Sequence, residues 1–228
     1  MPALQYKFTY DDGSTHSFDV DMDRVHHPPA PGSTHAPWTG LGFSQCKNCP
    51  LQESSTPRCP AAVDVEAIAS RFASALAHTT AHVEVITKER TYTRRCDVQT
   101  ALRSLLGVVM ATSGCPILSE LRGLARYHLP FATIEETLFR TTSAYLLRQY
   151  FIHKEGVRQP DWDLKGLNHF YNELQTVNRC FKLRLDAASD NDANLNAISS
   201  LAYLSMAVSF SIDDELLQLR GQFEKMPA

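Results

Sequence analysis

The chain has 228 residues, a formal net charge of -3, 43% hydrophobic residues and 21% charged residues. That length suits one large domain, or one domain with a small appendage, able to bury a core without disulfides. The slight negative charge argues against general attraction to nucleic acid or an anionic membrane. No stretch reaches the roughly 20 apolar residues of a membrane helix.

From the N-terminus, residues 4–22 read as a β-hairpin. Tyr6, Phe8 and Tyr10 alternate, Asp12-Gly13 makes the turn, and Phe18 and Val20 alternate again. The opening MPALQYKFTYDDG carries neither a basic nor an apolar leader region, so a secretory signal is not expected and a cytoplasmic location is. Residues 26–40 read as a linker, because their prolines block helix and ladder alike. A cysteine-rich segment, 43–60, follows. Residues 64–78 read as a helix with Val65, Ile68, Phe72 and Leu76 on one face. Residues 82–86 and 91–95 read as two short strands around Lys88-Glu89-Arg90. Residues 98–110 return to helical spacing, and Gly114-Cys115-Pro116 is read as their stop.

Beyond that point every stretch reads as helix: 117–127, then 133–153 opened by the capping-box pair Thr133 and Glu136, then 164–185, then about 192–210, and a short last helix after Ser211. The expected fold class is α+β, a small N-terminal antiparallel β region and cysteine-rich segment packed on a predominantly helical C-terminal bundle. Its divisions are a hairpin at 1–25, linker and cysteine cluster at 26–62, an α/β segment at 63–116 and the bundle at 117–228, forming one unit.

The cysteines carry the strongest chemical signal. Cys46 and Cys49 have the C-x-x-C spacing that lets two thiolates face one ion from a tight turn. Cys59 follows after nine intervening residues, close enough to fold back as a third ligand, and Cys115 is the natural fourth. In a reducing compartment six cysteines favour metal ligation or buried thiols over disulfides. Cys49, Cys59 and Cys115 each precede a proline, as in the bacterial ferredoxin ligand run, which tilts the choice from zinc slightly toward an iron–sulfur cluster. Two other readings are buried thiols without metal and a redox C-x-x-C. Against the latter, Pro50 and a polar run follow where a helix should open. Cys96 and Cys180 lack partner spacing and read as structural. His26, His27 or His35 could replace Cys115 as fourth ligand.

His128, close in sequence to Glu135, Glu136 and Arg140, is a weak acid/base candidate, with Glu135 as its carboxylate. Capping, the helix dipole and an i,i+4 pair with Glu136 explain the other members, leaving His128 alone without a structural reason. The run Asp190 to Asn194 resembles a calcium loop but has Leu195 and Leu201 where glycine and glutamate are required, so helix capping explains it better. Asn178 lies on an apolar helix stripe, where it either specifies register or lines a pocket. Arg94-Arg95 reads as a charged edge strand rather than a nucleic-acid contact. No nucleotide-loop or common hydrolase motif is present.

Cys46-x-x-Cys49-Pro50-Leu51, Cys59-Pro60-Ala61, Ser113-Gly114-Cys115-Pro116, His128-Leu129-Pro130-Phe131 and Asp192-Ala193-Asn194-x-Asn196-Ala197 together resemble a bacterial family of unknown function. The resemblance implies no reaction and adds no catalytic residue. Three hypotheses follow: a cytoplasmic protein whose cysteine-held metal ties the N-terminal region to the helices; an iron–sulfur enzyme with a pocket formed by His128, Asn178 or the Asp192/Asn194 segment; and a metal-free structural or interaction protein. A protein partner or homo-oligomer is left open.

Overall fold

Alternation at residues 4–10 decides the first layer of the fold. In the computed structural model, which describes residues 4–24, 34–156, 158–210, 216, 217 and 219–223, β1 (Leu4–Tyr10) buries Leu4, Tyr6 and Phe8 on one face. Gly13, at φ +82°, closes the turn into β2 (Thr15–Val20), a backbone conformation that glycine adopts without penalty. The hairpin does not stand alone. β3 (Thr80–Thr87) pairs antiparallel with β1, and β4 (Thr91–Asp97) with β3, giving one sheet of order β2-β1-β3-β4. Ala81, Val83 and Val85 extend the buried face that Leu4, Tyr6 and Phe8 begin.

Helices α1 (Pro60–Arg71) and α2 (Val98–Ala111) pack on each other, and α2 touches β3 and β4. Phe72, at the end of α1, stacks against Phe8 and Phe18. Asp97 caps α2 by accepting from the Thr100 amide. The C-terminal helices are α4 (Ile134–Glu155), α5 (Lys165–Asp186) and α6 (Ala193–Phe210), after a short α3 (Arg122–Ala125). α6 packs along α2 and α5 along α6, so one apolar core runs from the sheet into the bundle. The α+β class is as expected. α4 carries the full capping box of Thr133 and Glu136 and ends on left-handed Gly156.

Several boundaries differ from the sequence reading. α1 starts at Pro60 rather than 64, because proline at the first helical position is pre-organised and its missing N–H would be unpaired there anyway. It ends at Arg71, leaving Leu76 46% exposed, so the apolar spacing of 64–78 overran the helix by nearly two turns. The stretch 117–127 is not one helix but a 3₁₀ turn, Leu118–Leu121, followed by α3. Gly114 is not the stop of α2. That helix ends at Ala111, and the left-handed glycines among the described residues are Gly13 and Gly156. Part of the expected linker is core: Pro37–Thr39 forms a 3₁₀ turn that buries Trp38 and Thr39. Residues 25–33, with His26 and His27, and residues 211–215, where the short last helix was expected to begin, lie outside the described residues. No described helix is long and apolar enough to cross a membrane.

Candidate metal centre and adjoining pocket

Three chain segments bring four cysteines to one chamber. Cys46 and Cys49 lie on a turn in which the Cys49 amide donates to the Cys46 carbonyl at 3.0 Å. Cys59 is the residue before α1, and its amide donates to the Thr39 carbonyl at 2.8 Å. Cys115 sits between α2 and the 3₁₀ turn at Leu118. All four line a chamber of about 20 Å³ with Pro50, Pro60, Val177, Phe181 and Arg184 in its walls. The amides of Ala61 and Ala62 point at the Cys59 sulfur, and those of Ile117 and Leu118 at the Cys115 sulfur. Cys59 and Cys115, each followed by proline, thus sit where free N–H groups at a helix start face sulfur.

Helix α5 clamps the cysteine segment at two points. Near its middle, Asn48 donates to the Glu173 carboxylate at 2.7 Å and to the Glu173 carbonyl at 3.1 Å. Further along, Arg184 is 1% exposed and donates to the carbonyls of Trp38, Gly40 and Leu41 at 2.7, 2.7 and 2.9 Å. It forms no ion pair with a carboxylate among the described residues, and its buried Nε has no protein partner there. A buried cation without an anion is costly. Cys180, one turn before Arg184, is a hydrogen-bonding neighbour of the Cys46 thiol.

Burial pushes the Cys46, Cys59 and Cys115 thiols up, Cys46 furthest above the usual thiol range. For Cys46 the neighbouring sulfurs of Cys180, Cys59 and Cys115 add to this, whereas Arg184 and the helix-start amides pull Cys59 the other way. All six cysteines are free of disulfides. Among the described residues, no three His, Cys, Asp or Glu side chains are grouped so as to hold a metal ion as they stand. The four thiols share a void rather than converge on a point. His35, a proposed substitute ligand, is instead paired with Glu66.

A second, larger cavity of about 160 Å³ meets the first at Leu118, which lines both. His128 and Asn178 lie in its wall, together with Ser104, Arg103, Arg140 and Tyr171. His128 Nε2 shares a 2.6 Å hydrogen bond with the Tyr6 hydroxyl, which also bonds Ser104 Oγ at 2.7 Å. Burial, helped by Arg140, pushes His128 down to about 3, so its imidazole is neutral. Asn178 donates to Ser205 on α6 at 2.8 Å, so it ties two helices and also borders the pocket. Glu135 is absent from this wall; it is exposed and accepts from Gln222. Glu136 is occupied by its capping box. Arg140 does not form the expected pair with Glu136 but donates to the Leu124 and Tyr127 carbonyls. The Asp192/Asn194 segment is elsewhere: Asp192 accepts from the Ala77 amide and Asn194 donates to the Ala69 carbonyl, joining α6 to the end of α1.

A family model described as a domain of unknown function, DUF6901, matches residues 4–224. The chain belongs to this family. No curated protein and no solved structure matches it. The match spans both cavities of the DUF6901 domain and assigns no role to any residue in them.

Within this DUF6901 domain, sequence reading missed Cys180, Arg184, Tyr6 and Ser104. A signal for the first two existed. Glu173, Val177, Cys180 and Arg184 recur at helical spacing of four, three and four, a stripe that the apolar pattern of 164–185 does not explain. Nothing local distinguishes Tyr6 from an ordinary core tyrosine, because its partner His128 is 122 positions away.

Proposed function

We propose that the protein carries a cysteine-ligated metal centre held by Cys46, Cys49, Cys59 and Cys115, an iron–sulfur cluster before a structural zinc. The observation that carries this reading is the buried Arg184 cation, which has no carboxylate partner among the described residues, on the wall of a chamber lined by four cysteines. Four thiolates on a metal centre leave net negative charge, which Arg184 would balance; four neutral thiols would leave it uncompensated. The amides aimed at Cys59 and Cys115 would serve the same thiolates. The prolines that follow Cys49, Cys59 and Cys115 are what put a cluster ahead of zinc. When bound, such a cluster supplies electron transfer or a Lewis-acidic iron. The protein's own residues would exclude water, hold the sulfurs and offset their charge.

Purification without oxygen, followed by a visible absorption spectrum and iron, sulfide and zinc analysis, tests the reading. Broad visible absorption with iron and sulfide in the wild type, lost in Cys49→Ser and Cys115→Ser, is the expected result. One colourless zinc per chain would replace the cluster with a structural zinc. Absence of all three elements from the wild type would overturn cysteine ligation altogether.

A second reading, an iron–sulfur enzyme using the pocket beside His128, is favoured by one observation: Leu118 lines both cavities, so a substrate in one would lie next to the centre in the other.

A further inference from the structure

Among the described residues, the larger cavity has cations in its wall and no carboxylate. Arg103 and Arg140 both line it, and neither forms an ion pair among the described residues. Burial pulls both guanidiniums below the usual arginine range, a mark of cations held in an apolar setting without a full counter-charge. Arg140 uses its Nη2 on the carbonyls of Leu124 in α3 and Tyr127 just beyond it, which fixes the side chain while its other N–H groups carry no hydrogen bond among the described residues. His128, within electrostatic reach of Arg140, is held through Nε2 by Tyr6 and Ser104. Its Nδ1 has no partner among the described residues. The rest of the wall is largely apolar, including Val108, Leu121, Leu174, Leu201 and Leu204. The volume of about 160 Å³ is close to that of an engineered apolar cavity, roughly 150 Å³, that takes up benzene.

We propose that this cavity binds a small apolar monocarboxylate, of the size of benzoate or hexanoate, with its carboxylate on Arg140 and His128 and its hydrocarbon body among the leucines. A guanidinium matches a carboxylate with two parallel N–H···O bonds, and such charge-assisted bonds are the strong ones. A ligand with a larger polar body would strand polar groups against the aliphatic wall. A neutral ligand would leave Arg140 with no direct ion pair, only the field of the capping Glu136 carboxylate. The binding does not depend on the cysteine chamber being loaded, so it stands or falls separately from the metal reading.

The test is calorimetric titration of the full chain, as purified, with hexanoate and benzoate, and with hexanamide and benzamide as neutral counterparts. The acids should bind saturably, and the amides at least about tenfold more weakly. Arg140→Gln should weaken the acids by at least about tenfold, whereas Arg140→Lys, which keeps the charge, should retain part of the affinity. Thermal unfolding of both variants checks that the fold survives the loss of the bonds to the Leu124 and Tyr127 carbonyls. If Arg140→Gln fails to fold, the acid–amide difference in the wild type and the Arg140→Lys titration decide. Equal affinity for acid and amide, no saturable binding of either acid, or unchanged affinity in folded Arg140→Gln overturns the proposal.

Discussion

The chamber and the pocket share Leu118 yet are built on opposite terms. The chamber of about 20 Å³ is almost filled by the chain, up to the four sulfurs. What it lacks is negative charge to set against Arg184. The pocket of about 160 Å³ has its polar ends fixed in a hydrogen-bonded chain from the Phe131 amide through Ser104 and Tyr6 to His128. What it lacks is a body to fill its apolar walls. In the first, a buried cation and aligned amides face the sulfurs; in the second, fixed polar groups border an apolar wall. A ligand of the chamber would be held by charge compensation, and one of the pocket by shape plus one ion contact.

The sharpest way to break that contrast is Arg184→Met. Three carbonyls lose their donor, and buried unpaired polar groups cost about 1–3 kcal/mol each. A loss of about 3–5 kcal/mol in urea unfolding is expected, and under the proposed cysteine-ligated centre the metal content should fall as well. A loss under about 1 kcal/mol would mean that α5 does not clamp the cysteine segment.

The next effect belongs to the pocket and to pH. His128 stays neutral in the folded chain down to about 3, while the unfolded chain takes up a proton near 6.5. Between those values the unfolded state binds more protons, so stability is full above about 6.5 and falls as pH drops toward 3. The contribution is on the order of a few kcal/mol. Carboxylates also titrate in that window, so the readout is the difference between wild type and His128→Gln. The variant should show a flatter loss on acidification, and identical slopes would refute a buried neutral His128.

Tyr6→Phe removes the hydroxyl bridging Ser104 and His128 without changing the apolar surface of β1. About 1–2 kcal/mol of stability should be lost and the metal content should stay the same. A drop in metal content would show that the two cavities are coupled through Leu118. The smallest effect, about 1 kcal/mol, is expected for Asp97→Ala, which loses the α2 cap and lines neither cavity. A larger loss there would show that the position of α2 itself governs both.

How far the sequence reaches is visible residue by residue. Thr133 and Glu136 announce their capping box because the interaction spans three positions and uses only local backbone. The alternation of Tyr6 and Phe8, and the Asp12-Gly13 turn, announce the hairpin for the same reason. The pairing of β1 with β3 does not show in either strand, since any half-buried strand offers the same pattern to several partners. The 117–127 stretch misled because apolar spacing alone does not separate an α-helix from a 3₁₀ turn followed by a single α turn.

At the site, sequence alone selected Cys46, Cys49, Cys59 and Cys115 from six cysteines, through C-x-x-C spacing and following prolines, and marked His128 as a residue without a structural reason and Asn178 as a polar group that sets register or lines a pocket. Thiol chemistry and local turn geometry are properties of neighbouring residues, so they can be read along the chain. Only the tertiary structure decided that Cys180 and Arg184 belong beside the four cysteines, that Glu135 does not belong with His128, and that His128 answers to Tyr6 and Ser104 instead. These depend on which helix face meets which segment, across separations from 24 to 122 positions for His128 alone, and that is fixed by packing of the common core.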